Sequence, residues 1–230
     1  ATKYVLLKNL NNEFSTVEEY KEKIKETQTD KNGKIVVLYS NSPVEHHSYI
    51  ESAKNAGYDI LEFDMVLDNH FMQHLETKNP DITFTRVDSN TVDKLIDKDE
   101  KRESVLSDDV QEDIKVLFTK RTEADKATVE MAALSPDDMP VVITKPEFMR
   151  RMQEMSRMQG NDAFGGFPEA FNLIVNTNHP LINEKLLNLE EETEKAELVD
   201  YLYNLARLNQ NMLKGQDLAS FVKKSITFLG

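Results

Sequence analysis

Cysteine is absent from the 230-residue chain, which removes disulfides, thiolate zinc sites and cysteine nucleophiles at once. That absence also suits a reducing compartment. Glycine is scarce, at 7 residues, and neither Gly-x-Gly-x-x-Gly nor Gly-Lys-Ser/Thr occurs, so no loop of the known kinds brings backbone N–H groups up to a phosphate. The Gly-x-Ser-x-Gly turn that exposes a nucleophilic serine is missing as well. No apolar run approaches the roughly 20 residues that span a bilayer. Positive charge is in deficit: 28 Lys and Arg against 41 Asp and Glu leave a net charge of −13. A surface of that sign repels phosphate backbones and anionic lipid, which argues against nucleic-acid and membrane partners. The same charge keeps a protein dissolved while it handles sticky partners. The first residues, Ala1-Thr-Lys-Tyr-Val5, show no initiator Met, basic leader or cleavage motif. They read as the start of a piece cut from a longer chain.

What is present is an alternation of helix and strand signals. Thr16 and Glu19 form a capping box ahead of Val17–Ile24. Asn32-Gly33 turns the chain into an apolar run over 34–39 of the kind buried on both faces of a parallel sheet. Ser42 followed by Pro43 and Glu45 predicts the next helix start, and Gly57 stands where a left-handed helix stop belongs. Strands over 58–63 and 82–87 flank a short helix over Asp68–Lys78. This βαβαβ order predicts a small three-stranded parallel α/β/α domain over 1–97. Residues 88–109 are rich in charge and read as a partly helical connection. The remainder, 98–230, reads as a mixed α+β domain: a helix carrying Val110, Ile114, Leu117 and Phe118, a strand with Val129, Met131 and Ala133, and a turn at Ser135-Pro-Asp-Asp138. The strand Val141–Thr144, another over 171–175, a helix from Leu181, and two closing helices over 196–214 and 217–229 complete it.

Several groups of residues invite a functional reading. Within 146–159, Phe148, Met149, Met152, Met155 and Met158 fall on one half of a helix, and Arg150, Gln153, Glu154 and Arg157 on the other. By periodicity alone such a stripe belongs in a core, although methionine's flexibility also suits a surface that meets many partners. His70 and His74 have the i, i+4 spacing of a shared metal ion. No Glu follows His70 as the metalloprotease motif requires, and the better expectation is a half-exposed face formed with Phe71. His179, ahead of Pro180, reads as structural. The clearest association signal lies at the end of the chain. Leu198, Tyr201, Leu202, Leu205, Leu208 and Met212 form one stripe, and Leu218, Phe221, Val222, Ile226 and Leu229 form the next. Two copies of such a hairpin can close into a four-helix bundle about a two-fold axis.

Three stretches resemble the C-terminal half of the heat-shock protein 90 family, in its bacterial form. They are Leu134-Ser-Pro-Asp-Asp-Met-Pro140 running on into Pro146-Glu-Phe-Met-Arg-Arg-Met152, Leu173-Ile-Val-Asn-Thr-Asn-His-Pro-Leu181, and Leu208-Asn-Gln-Asn-Met-Leu-Lys214. The resemblance implies that the first part is the small α/β portion of the family's middle domain and the rest its dimerisation domain. It implies a chaperone that homodimerises and holds partly folded client proteins, with the heat-shock protein 70 system among its partners and a cytoplasmic location. The helix over 146–159 would then be exposed and contact clients. His70 would take the place of an aromatic residue in a client-contacting patch. ATP and Mg²⁺ would be bound by upstream domains, so no cofactor, metal or catalytic residue is expected in this stretch. The chain ends Ser225-Ile-Thr-Phe-Leu-Gly230, without the Met-Glu-Glu-Val-Asp tail that docks co-chaperones in eukaryotic members. Read without the resemblance, two other classes stay open. One is an α/β metabolite-binding or metal-dependent enzyme with a dimerisation tail, and the other is an adaptor that dimerises without chaperoning.

Overall fold

The computed structural model describes residues 5–63, 65, 68–98, 102–158 and 171–229, leaving aside the side chains of 153–158 and 227–229. The chain divides into two compact units, Ala1–Glu100 with Lys145–Gly165, and Lys101–Thr144 with Gly166–Gly230.

The first unit is built on a parallel sheet. Its strands are β3 (Ile35–Ser40), β4 (Ile60–Glu62) and β5 (Ile82–Arg86), in the order β4-β3-β5 and all parallel. Every residue of β3 is buried, as a central strand covered on both faces requires. Before the sheet come a two-residue hairpin, β1 (Leu7–Lys8) with β2 (Phe14–Ser15), and α1 (Val17–Ile24). The predicted capping box is formed: Thr16 Oγ1 accepts the N–H of Glu19, and the Glu19 carboxylate accepts that of Thr16. Helices α2 (His47–Asn55), α3 (Asp68–Lys78) and α4 (Val92–Leu95) follow in the connections. Gly57, at φ +81°, stops α2 as expected.

Two expectations for this unit need correction. Helix α2 begins at His47, not at Pro43, and the residues between form a single turn that does not continue as regular helix. The Ser42 carbonyl accepts the N–H of His46 at 2.9 Å, and His46 turns its ring inward to Ser40 Oγ, 2.9 Å from Nδ1. The charged stretch after β5 is also packed at its start. Asp88, Ser89, Thr91, Leu95 and Ile96 are all buried, and Asp88 holds Arg86 in a two-pronged pair at 2.5 and 2.8 Å.

The second unit carries a mixed sheet, β6 (Thr128–Ala132), β8 (Asn172–Asn176) and β7 (Val141–Thr144). In it β6 pairs parallel and β7 antiparallel with the central β8. Its core joins Ile114 and Phe118 of α5 (Asp108–Thr122), Leu173 and Val175 of β8, and Leu198, Val199, Leu202, Tyr203 and Ala206 of α7 (Glu192–Asn209). The Asn-x-x-His-Pro stretch has a structural job in this unit. Asn176, fully buried, accepts the N–H groups of Leu134 and Asn178 and donates to the Ser135 carbonyl at 2.8 Å. His179 Nδ1 accepts the N–H of Leu181 at 3.0 Å and so starts a π-helical segment, Leu181–Leu186. Helix α8 (Gly215–Leu229) returns along α7, tied to it by Tyr201 stacked on Phe221 at 5.2 Å and by the ion pairs Arg207–Asp217 and Lys224–Asp200.

Candidate functional site

The helix α6 (Glu147–Met158) belongs to the first unit although it follows two strands of the second. It starts after Pro146, which sets the backbone for a first helical turn. Just before it, the Lys145 N–H donates to the Asp88 carbonyl at 3.0 Å. Glu147, Arg150 and Arg151 share one face by their i, i+3, i+4 spacing, and that face turns inward. The Glu147 carboxylate accepts the Tyr39 hydroxyl at 2.9 Å, the Arg86 N–H at 3.1 Å, Arg150 at 2.6 Å and Arg151 at 2.7 Å. Arg150 is 6% exposed and also reaches the Tyr39 hydroxyl. Arg151 spreads its guanidinium between Glu76 of α3, at 2.9 and 3.2 Å, and the Phe84 carbonyl of β5, at 2.7 Å. Burial opposes ionisation of Glu147, but Arg150 and Arg151 outweigh it and hold the carboxyl below the usual range.

Periodicity alone puts the Phe and Met stripe in a core and leaves Arg150 on the opposite half of the helix, and the described side chains show Arg150 as the buried one. An amphipathic helix ordinarily buries its apolar stripe. Here the charged side is docked and Phe148 stands 74% exposed, with Met149 and Met152 half-buried. Met155 and Met158 lie outside the described side chains. An outward Phe flanked by methionines provides adaptable apolar contact without a preset shape, which suits varied apolar partners.

On α3, His70 and His74 are exposed and Phe71 is half-buried, its ring edge-on to Phe63 at 6.4 Å. Among the described residues no group of three or more metal-ligating side chains comes together. Met72 and Leu75 of α3 are in the core. On the helical period Glu76 lies on the flank facing Arg151, and His70 and His74 lie round the other side.

The residues expected to mediate dimerisation divide into two sets. Leu198, Leu202 and Phe221 are buried within their own unit, and Tyr201, Leu205, Met212 and Leu218 are half-buried. Leu208, Val222 and Ile226 are open, at 38%, 50% and 68% exposure. The Leu229 side chain is not among those described. The covered set exists because α7 is apolar on more than one face: Val199, Tyr203 and Ala206, absent from the predicted stripe, share its buried side.

A second polar cluster sits at the carboxyl ends of β3 and β5. His46 Nε2 is 3.7 Å from Asp88, Asp88 grips Arg86, and Ser40 meets the other ring nitrogen. The order Ser40, His46, Asp88 has the composition of a nucleophilic triad, but all three side chains are buried and Ser40 is fully enclosed. A buried hydroxyl that no substrate reaches serves structure, not acyl transfer. Burial lowers the affinity of His46 for a proton, partly offset by Asp88.

The class defined by this fold and these motifs is confirmed by comparison with known proteins. A family model described as Hsp90 protein matches residues 4–229, and the chain belongs to that family. It is similar to the chaperone protein HtpG of Bacteroides fragilis, 40% identical over 200 residues that cover 85% of this chain and 29% of the relative. The HtpG of Bacteroides thetaiotaomicron is 41% identical over 190 residues, covering 81% of this chain and 28% of the relative. That of Porphyromonas gingivalis is 34% identical over 218 residues, covering 93% and 32%. The chain therefore spans under a third of the length of these relatives.

The residues that sequence reasoning missed are Glu147, Arg151, Glu76, Tyr39 and Arg86. A signal for the first two was present, since Glu at i with Arg at i+3 and i+4 is a self-pairing charged face. Nothing local marks it as buried.

Proposed function

We propose that this chain is the dimerising, client-holding part of an ATP-dependent chaperone, and not a catalytic domain. The observation that carries the reading is the inverted helix α6, whose polar face is docked and whose Phe148 faces solvent. A soluble domain gains by burying such a ring, about 1.5–3 kcal/mol for a whole side chain, so an exposed one on an anchored helix calls for a partner. The named relatives are chaperones, and partly folded proteins are the partners whose surfaces are apolar and variable. His70, Phe71 and His74 are read as a second contact region on the same unit. The open positions Leu208, Val222 and Ile226 are read as the seam with a second copy of the chain. ATP with Mg²⁺, the heat-shock protein 70 system and a cytoplasmic setting belong to the function of the full-length protein on this reading. No helix among the described residues is long and apolar enough to cross a membrane. A photo-crosslinking residue placed at Phe148 tests the reading directly. With a permanently unfolded protein as probe it should yield saturable adducts, and the same residue at the exposed Glu22 should not. Equal labelling from the two positions would reject α6 as the client surface.

A further inference from the structure

We propose that Glu147 is the positioning residue of the client-facing helix: its largely enclosed carboxylate, 19% exposed, turns the polar side of α6 inward and thereby sets Phe148 outward. The proposal rests on the reading of α6 as a client surface and adds what determines its orientation. A free helix of this sequence has two ways to lie on a sheet, and the apolar side is the usual one to bury. The structure adopts the other. Four donors converge on Glu147, from Tyr39 and Arg86 at the ends of two parallel strands and from Arg150 and Arg151 on the helix itself. Each arginine then finds a further acceptor: Arg150 the Tyr39 hydroxyl, and Arg151 both Glu76 and the Phe84 carbonyl. A half-satisfied cluster of buried charges is unfavourable, whereas a fully paired one fixes a single geometry. Removing Glu147 takes away the anion that Arg150 and Arg151 share, leaving Arg150 with the Tyr39 hydroxyl and Arg151 with Glu76 and the Phe84 carbonyl. The helix then loses its reason to keep that side down.

Glu147 commits its carboxylate to four donors and is a positioning group, not a client contact. Its loss should therefore act through Phe148 and Met152. The experiment compares Glu147→Ala, Glu147→Asp and Tyr39→Phe with the unsubstituted chain. It reads amide hydrogen exchange over residues 147–152 and the Kd for a reduced, carboxymethylated unfolded protein. Glu147→Ala should accelerate exchange across α6 by tenfold or more (an order-of-magnitude figure for losing a buried charge pair, about 1.4 kcal/mol per decade). Protection of β3 and β5 should stay unchanged. The Kd should rise by a factor of about five or more, and Glu147→Asp, which keeps the charge, should fall between. If Glu147→Ala unfolds the unit, Tyr39→Phe gives the same reading at smaller amplitude, because it removes one donor without stranding a charge. Weakened client binding with unchanged exchange would overturn the proposal, since the carboxylate would then touch the client itself. Faster exchange with unchanged client binding would also overturn it, provided Phe148→Ser still weakens binding. If Phe148→Ser binds normally, the client reading of α6 fails, and the exchange measurement alone decides whether Glu147 anchors the helix.

Discussion

Replacing Val222 and Ile226 together by Glu should separate two copies of the chain without disturbing either. Both positions lie on the outer side of α8, at 50% and 68% exposure. Burying a whole side chain of this type is worth about 1.5–3 kcal/mol. Scaled by those exposures, the pair contributes about 2–3.5 kcal/mol per protomer, and a two-fold axis doubles this to about 4–7 kcal/mol. The dissociation constant should accordingly rise by about three to five decades, before any repulsion among the new carboxylates. Folding of the protomer should change by no more than about 0.5 kcal/mol, as is usual at exposed sites. Sedimentation velocity over a concentration series, with melting followed by circular dichroism, separates the two effects. The unsubstituted chain should sediment as a dimer at micromolar concentration and the variant as a monomer with the same melting curve. By contrast, Leu202→Glu, at a position 1% exposed, should unfold the second unit, because it buries an unpaired charge. The reasoning fails if the unsubstituted chain is already monomeric, or if the double variant remains dimeric.

Three further outcomes follow from the structure. Asn176→Ala removes the acceptor for Leu134 and Asn178 and the donor to Ser135, and should cost the second unit about 2–4 kcal/mol in a urea titration. A loss under about 0.5 kcal/mol would mean that the Asn-x-x-His-Pro stretch does not hold the turn at Ser135. The stability of the first unit should fall with acidification. Burial keeps His46 neutral below its ordinary value of 6.5, so the unfolded chain binds the extra proton first. Stability is then complete above about pH 6.5 and declines as the pH drops through the lower folded value. Around His46 stand Asp88, Arg86, Glu45 and Lys145, and Asp88, held low by Arg86 against its burial, stays charged throughout. His46→Gln should flatten the decline between pH 6.5 and 5, and an unchanged slope would assign it to another group. Glu76→Gln weakens the Arg151 bridge at its α3 end and should cost the first unit about 1–2 kcal/mol. An unchanged melting temperature would show that the pair contributes nothing net.

The parts of the fold that could be read from sequence are those fixed by neighbours along the chain. The capping box at Thr16 and Glu19 needs only three residues, and the glycine stop at Gly57 only a backbone angle. The apolar run ending at Tyr39 had to be a covered strand because no polar residue interrupts it. Ser42 shows where local logic stops: the cap residue is in place, but His46 meets Ser40 and Asp88, and the helix starts at His47. The charged anchor of α6 was out of reach for the same reason. Glu147 and Tyr39 lie 108 positions apart, and an i, i+3, i+4 charged face looks the same whether it meets solvent or a second set of partners. The association stripe on α7 was legible as apolar but not as to which side it covered, since Val199 and Tyr203 claim the core beside Leu198 and Leu202.

The central claim is that an outward apolar face on an anchored helix holds unfolded protein, and suppression of aggregation tests it most directly. A thermally unfolding reporter protein is heated with the chain, without nucleotide, and light scattering is followed for the unsubstituted chain and for Phe148→Ser combined with Met152→Ser. Phe148 is largely open and Met152 half-buried, so the variant should keep the oligomeric state of the unsubstituted chain and lose no more than about 1–2 kcal/mol of stability. It should also lose most of its ability to suppress scattering. Full suppression by this well-folded variant would contradict the account.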